Sequence, residues 1–153
     1  MCAMPMLQPQ VSPKAALSRA VIVKLHHNLY ALDLYTDRLH TQGYTVITAD
    51  NYQNTLDVVH RYQPALIIVH DDPASDVDAV HWLELQHTDR IAALTMTPLI
   101  ILADSERAAL LQVQELPDRV IVIRNRADTL NQLTRTVQRT LRVWGLDSTT
   151  VSR

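Results

Sequence analysis

Glycine is scarce in this sequence of 153 residues, which contains only Gly43 and Gly145. The dinucleotide-binding fingerprint needs three closely spaced glycines, and the phosphate-binding P-loop needs two glycines followed by Lys-Ser or Lys-Thr. Neither motif can form here, so we expect no nucleotide or flavin site built on a glycine-rich loop. A helix N-terminus can still bind phosphate without glycine.

Cysteine is equally rare, because Cys2 is the only one. It cannot form a disulfide within the chain or a cysteine-based zinc site. No apolar run approaches the roughly 20 residues that span a bilayer, and no apolar block with a basic flank opens the chain. We therefore expect a cytoplasmic protein without a membrane segment. The net charge of -2 argues against a nucleic-acid partner.

Short apolar runs alternate with amphipathic stretches along most of the chain. Hydrophobic residues make up 47% of the sequence, enough for a packed core. Five runs have the length and β-branched composition of buried strands, at residues 20–25, 44–48, 65–69, 98–103 and 120–123. The pattern predicts an α/β fold, in which a five-stranded parallel sheet carries helices on both faces in a doubly wound (βα)5 arrangement.

The helices between these strands can be placed from capping residues and apolar spacing. We predict that Asn28 caps a first helix that runs to about Thr41, and that Ser75 or Asp76 starts the third helix. A polar loop is expected after His87. Ser105 is the predicted cap of a fourth helix whose apolar residues are Ala109, Leu110 and Val113.

The predicted domain occupies residues 20–145. Residues 1–19 contain three prolines and no sustained hydrophobic periodicity, so we expect a flexible N-terminal arm. We interpret residues 146–153 as a C-terminal tail.

In open parallel sheets, ligands bind outside the carboxyl ends of the strands. The residues that follow the predicted strands are therefore the candidates for a site: His26, His27, His70, Asp71, Asp72, Ala103, Asp104, Arg124 and Asn125.

The order of elements and three local phrases resemble the receiver domain of bacterial two-component response regulators, a CheY-like, flavodoxin-like fold. The phrases are Gly-Tyr-Thr-Val-Ile-Thr-Ala-Asp at 43–50, Gln-Pro-Ala-Leu-Ile-Ile-Val at 63–69 and Thr-Pro-Leu-Ile-Ile-Leu-Ala at 97–103. The resemblance covers residues 20–141 and implies a signalling module of a phosphorelay pathway, without an enzymatic activity of its own.

The residues that carry phosphorylation in that family are not present here. The resemblance aligns His26 and His27 with an acidic pair that holds Mg²⁺, and His70 with the aspartate that accepts the phosphoryl group. It aligns Ala103 with a Ser or Thr, Arg124-Asn125 with a Lys-Pro pair, and Ile121 with an aromatic switch residue. Imidazole is a poor ligand for Mg²⁺, so we expect no magnesium cofactor. The sequence therefore predicts a degenerate, pseudo-receiver pocket.

Two other interpretations stay open at this point. A one-residue shift would offer Asp71 as phospho-acceptor, although such a slip turns the side chain to the opposite face. Alternatively, His26, His27 and His70, with Asp71 or Asp72, could bind a transition metal or a small ligand and make the chain a sensor.

We expect the module to act through a protein partner or as a homodimer. The resemblance implies a contact surface that includes Leu110, Val113, Ile121 and the last helix, where Trp144 could anchor an interface. Arginines on the last helix are interpreted as a solvated face, and the remaining histidines as surface residues: Arg135, Arg139 and Arg142; His40, His60, His81 and His87.

Overall fold

A computed structural model describes residues 20–28, 33–126 and 128–144. The predicted arm and tail, as well as Gly145, lie outside these residues. The described residues form a single five-stranded sheet in the order β2-β1-β3-β4-β5, and every pair of neighbouring strands is parallel. The strands are β1 (Val21–Leu25), β2 (Thr45–Ala49), β3 (Leu66–His70), β4 (Leu99–Ala103) and β5 (Val120–Arg124).

Helices connect the strands as predicted, and the doubly wound α/β fold is confirmed. They are α1 (Leu34–Thr41), α2 (Tyr52–Tyr62), α3 (Ala79–His87), α4 (Ala92–Thr95), α5 (Ser105–Gln112) and α6 (Thr129–Val143). The four-residue α4 was not predicted, since we expected only a polar loop after His87. None of the described helices is long and apolar enough to cross a lipid bilayer.

The sheet separates two hydrophobic clusters. One contains side chains of α2, α3 and α5, including the fully buried Trp82; the other contains side chains of α1 and α6, including Leu39 and Leu141. Successive strand residues point to opposite faces. In β3, Ile67 and Val69 therefore join the first cluster while Leu66 and Ile68 join the second. The central strand is buried on both faces, as its uninterrupted apolar run predicted.

Three predicted helix starts were wrong by one to five residues. The caps are Asp33 for α1 instead of Asn28, Asp78 for α3 and Asp104 for α5 instead of Ser105. Each carboxylate accepts backbone N–H groups of the first helical turn, whose donors lack partners within the helix. The predicted start of α3 at Ser75 or Asp76 is instead a 3₁₀ turn, Pro73–Ser75, that ends at Asp76 with φ 64°.

The predicted apolar face of α5 was also wrong. Ala108 and Leu111 are the buried residues of this helix, whereas Ala109, Leu110 and Val113 are exposed. Four consecutive apolar residues, 108–111, leave no clear stripe in the sequence, and tertiary packing decides which of them face the core.

Candidate functional site at the carboxyl edge of the sheet

A cleft of about 310 Å³ opens at the carboxyl ends of β1, β3 and β4, where the sequence predicted a site. Helices α1 and α6 cover one face of the sheet there, and α3 and α5 the other. Most of the predicted residues contribute to the cleft, together with one tyrosine from α1. Its lining consists of His26, His27, Tyr35, His70, Asp71, Asp72, Pro73, Leu102, Ala103, Asp104 and Asn125.

The three imidazoles of the cleft contact one another through their rings. His26 and His27 stack with ring centroids 4.9 Å apart and an interplanar angle of 14°. His70 meets the ring of His26 edge-on, with centroids 4.5 Å apart. Tyr35 covers His70 from α1 at 5.5 Å, and its hydroxyl donates to Asn125 Oδ1 at 3.4 Å. The structure thus brings all three predicted histidines into one aromatic group.

The environment of this group favours neutral imidazole. Burial lowers the pKa of His70 well below its ordinary value of 6.5, and the positive charge of Lys24 lowers it further. The same two causes lower the pKa of His26, whose Nδ1 accepts a hydrogen bond from the backbone N–H of Asn28 at 3.0 Å. The Nε2 atom of His70 is buried and has no hydrogen-bond partner among the described residues.

A buried ion pair that the sequence analysis missed lies beneath the histidines. Lys24 is a β1 residue with no exposed surface, and its ammonium donates to the carboxylate of Asp33 and, at 2.8 Å, to Thr36 Oγ1. Burial lowers the pKa of Lys24, against the raising effect of Asp33. For Asp33, burial acts to raise the pKa, but the ammonium of Lys24 and hydrogen bonds from Thr36 outweigh it and lower the pKa to about 2.

Asp71, the alternative phospho-acceptor, points to the opposite face of the sheet from His70. Its Oδ2 accepts from Arg107 Nε at 2.8 Å, and its Oδ1 accepts from Arg107 Nη2 at 3.1 Å and from the backbone N–H of Ala79 at 2.8 Å. The side chain of Asp71 is fully buried. Arg107 also donates to Asp78, the cap of α3. Both carboxylate oxygens of Asp71 are therefore engaged in a bidentate pair that joins β3, α3 and α5.

The remaining predicted residues line the cleft or border it. Asp72 lies 3.5 Å from His27 Nδ1, and Asp104 accepts the backbone N–H of Arg107 in addition to lining the cleft. Ala103 is buried and has no side-chain donor. Arg124 ends β5 beside Ala103, and its Nε atom is buried without a hydrogen-bond partner in the described part of the chain.

Comparisons with solved structures identify the architecture. A signal receiver domain of a histidine kinase from Syntrophus aciditrophicus matches with a TM-score of 0.62 at 17% identity, covering 80% of this chain and 90% of that one. The chemotaxis response regulator CheY4 of Vibrio cholerae matches with a TM-score of 0.60 at 18% identity, covering 81% and 100%. The chain has the receiver-domain fold.

A third receiver structure supports the same assignment. A response regulator from Desulfuromonas acetoxidans gives a TM-score of 0.57 at 21% identity and covers 80% of this chain and 97% of that chain. No protein-family model matches the sequence, and no curated protein matches it. At these identities the likeness establishes the fold, and the chemistry of the site rests on the residues themselves.

The donor set of the cleft does not fit the magnesium ion that the receiver resemblance implies. Mg²⁺ takes oxygen ligands, yet three of the side chains at this edge are imidazoles and the carboxylate of Asp71 is held by Arg107. Imidazoles suit transition metals better. In the parts of the chain that the structure describes, however, no group of three His, Cys, Asp or Glu side chains is arranged to hold a metal ion.

The predicted contact surface is partly exposed on the receiver fold. Leu110 and Val113 on and after α5 are 53% and 81% exposed, and Trp144 at the end of α6 is 39% exposed. Ile121 differs from these three, because it is only partly exposed and packs against the cluster under α1 and α6. Three of the four predicted interface residues are thus available for contact.

The arginines of α6 are exposed, as the solvated-face interpretation predicted. Arg135 and Arg139 line a shallow polar depression with Arg126 and Asp128. The other histidines are also exposed: His40, His60, His81 and His87. His60 is not isolated, since its Nε2 lies 2.7 Å from Asp89 Oδ2.

Proposed function

We propose that this chain is a receiver-like signalling module of a two-component type pathway that works without phosphorylation, through contact with a protein partner or a second copy. One observation carries the proposal. Asp71, the carboxylate that a one-residue shift at the end of β3 would offer as phospho-acceptor, is buried and engaged by Arg107 and Ala79 through both oxygens.

The neighbouring residues support the same proposal. Phosphoryl transfer depends on cations that neutralise the developing negative charge. The receiver domains that this chain resembles use Mg²⁺ for this purpose. The cleft instead presents stacked imidazoles. A protonated His70 does not replace the missing cation, because burial and the charge of Lys24 lower its pKa and favour the neutral ring. Ala103 cannot donate a hydrogen bond from its side chain to a phosphoryl oxygen.

Incubation with acetyl phosphate and Mg²⁺ tests the loss of phosphorylation. We expect the intact mass to stay unchanged, and the amide NMR spectrum to stay unchanged when beryllofluoride is added with Mg²⁺. Asp71→Asn provides the matched control, because it removes the acceptor oxygen while keeping a similar shape. A phosphoryl adduct that forms on the wild type and is absent from Asp71→Asn would refute the proposal.

The contact surface can be tested by light scattering. A wild-type mass of twice 17.3 kDa that falls to 17.3 kDa in Leu110→Ser/Val113→Ser would identify a second copy as the partner. These positions are exposed, so the substitutions should leave the fold intact. A monomeric wild type would direct the search to a different protein partner. Trp144→Ala tests in the same way whether Trp144 belongs to the interface.

A sensor of a small ligand or a transition metal is the second candidate for the cleft, and a metal would require the described side chains to rearrange around it. It is favoured by the convergence of three imidazoles on one opening and by the unpartnered Nε2 of His70. Calorimetry with Zn²⁺ or Ni²⁺ on the wild type, His26→Ala and His70→Ala tests it. Micromolar binding that both variants lose would favour the sensor over the signalling module, and the absence of heat would remove it.

A further inference from the structure

A second concave site lies at the opposite, amino edge of the sheet, where Ala65 and Pro98 immediately precede β3 and β4. We call it the amino-edge pocket. It has a volume of about 300 Å³, at the lower end of the range for small-molecule sites. Its lining is mainly apolar: Val59, His60, Gln63, Pro64, Ala65, Ile91, Leu94, Met96, Thr97, Pro98 and Trp144.

The pocket combines a packed floor with exposed apolar walls. Val59 and Leu94 are 2% and 5% exposed and belong to the hydrophobic core, so the floor is formed by the folded domain. Met96 and Trp144 are 60% and 39% exposed. Large exposed apolar side chains around a concave site gain free energy when an apolar molecule covers them. The body of a ligand for this pocket would therefore be apolar.

The polar groups at the rim indicate the charge of a ligand. A second hollow adjoins the pocket, shares His60 and Ile91 with it and is also lined by Asp89 and Arg90. Asp89 is 7% exposed and already accepts hydrogen bonds from His60 at 2.7 Å and from the backbone N–H of Ile91 at 2.8 Å. Arg90 forms no hydrogen bond with a described residue, and its positive charge interacts with the neighbouring carboxylate of Asp89.

We propose that the amino-edge pocket binds a small amphipathic carboxylate, whose apolar part lies against Met96 and Trp144 and whose carboxylate pairs with Arg90 at the rim. An arginine binds a carboxylate through two parallel hydrogen bonds, which a neutral head group cannot reproduce. The oxygens of Asp89 accept hydrogen bonds from His60 and Ile91, so the N–H donors of Arg90 stay available to a ligand carboxylate even though the charges of Arg90 and Asp89 interact. The site is independent of the cleft at the carboxyl edge.

Titration of the full chain with octanoate, followed by amide NMR, tests this site. We expect saturable binding with a dissociation constant below about 1 mM, and shifts at Val59, Leu94 and Thr97 but not at His70. Arg90→Gln should weaken octanoate binding about tenfold and leave octan-1-ol binding unchanged. Trp144→Ala should weaken both.

Val143→Ala is the matched control on the same helix, because Val143 is 74% exposed and does not line the pocket. It should change neither affinity. The proposal is overturned if octanoate does not saturate, or if Arg90→Gln affects the acid and the alcohol equally. It is also overturned if octanoate binds only after residues 1–19 are deleted, since the chain's own segment would then cover the pocket. Binding only at concentrations where the chain is monomeric would overturn it as well, since a second copy would then cover the pocket.

Discussion

Asp33→Ala is expected to lower the free energy of unfolding by about 3–5 kcal/mol, because it leaves the ammonium of Lys24 buried without a counter-charge. Lys24 has no exposed surface and donates to Asp33 and Thr36 alone among the described residues. The substitution also removes the cap of α1, since Asp33 accepts the backbone N–H groups of Tyr35 and Thr36. Urea unfolding monitored by circular dichroism measures the loss.

Lys24→Met is the informative comparison. It removes the cation, while Asp33 keeps its hydrogen bonds from Tyr35 and Thr36, so the expected loss is only about 1–2 kcal/mol. The double variant Lys24→Met/Asp33→Ala should recover much of the stability that Asp33→Ala loses, as a buried pair replaced by apolar groups often does. Equal losses for the two single variants and simple additivity in the double variant would contradict this account of the pair.

Lowering the pH from 7 to 5 is expected to reduce the free energy of unfolding through His70, by at most about 2 kcal/mol. In the folded protein the pKa of His70 lies well below 6.5, chiefly because the ring is buried. The unfolded chain therefore takes up a proton first as the pH falls. The stability contributed by neutral His70 is complete above about pH 6.5 and is lost progressively below it, down to the folded-state pKa.

Two variants separate His70 from other titrating groups. His70→Leu should flatten the dependence of stability on pH between 7 and 5, and the lowered pKa of His26 should leave a smaller slope in the same direction. His81→Gln, which replaces an exposed histidine outside the cleft, is the reference variant with which the slope of His70→Leu is compared. Asp33 does not contribute to the slope between pH 7 and 5. Because its folded-state pKa is about 2, the stability that its carboxylate gives the protein is lost only below about pH 4. A wild-type slope in His70→Leu would rule out the proposed cause.

The sheet and the position of the cleft were predictable from local patterns. Runs such as 65–69 and 98–103 are apolar throughout, which identifies strands buried on both faces, and the residues after them must meet at one edge. This placed His26, His70 and Ala103 together. Helix starts were less predictable, because Asn28 and Ser105 are as good caps by type as Asp33 and Asp104. Only the backbone conformation selects among them.

Contacts between distant elements could not be predicted. Arg107 reaches Asp71 across 36 positions of sequence, and nothing in α5 distinguishes it from a surface arginine. Lys24 did leave a signal, since a charged residue inside an apolar strand run requires a buried partner. The identity of that partner depended on the packing of α1 against β1 and could not be read from the sequence.

The ion pair between β1 and α1 also restricts the order in which these positions can diverge over generations. A lineage that lost the lysine first would pass through a tolerable intermediate, whereas one that lost the aspartate first would pass through a chain too unstable to retain. Homologues are therefore expected to carry both groups, neither, or the acid by itself, and a homologue with the lysine alone should have gained a new acid nearby.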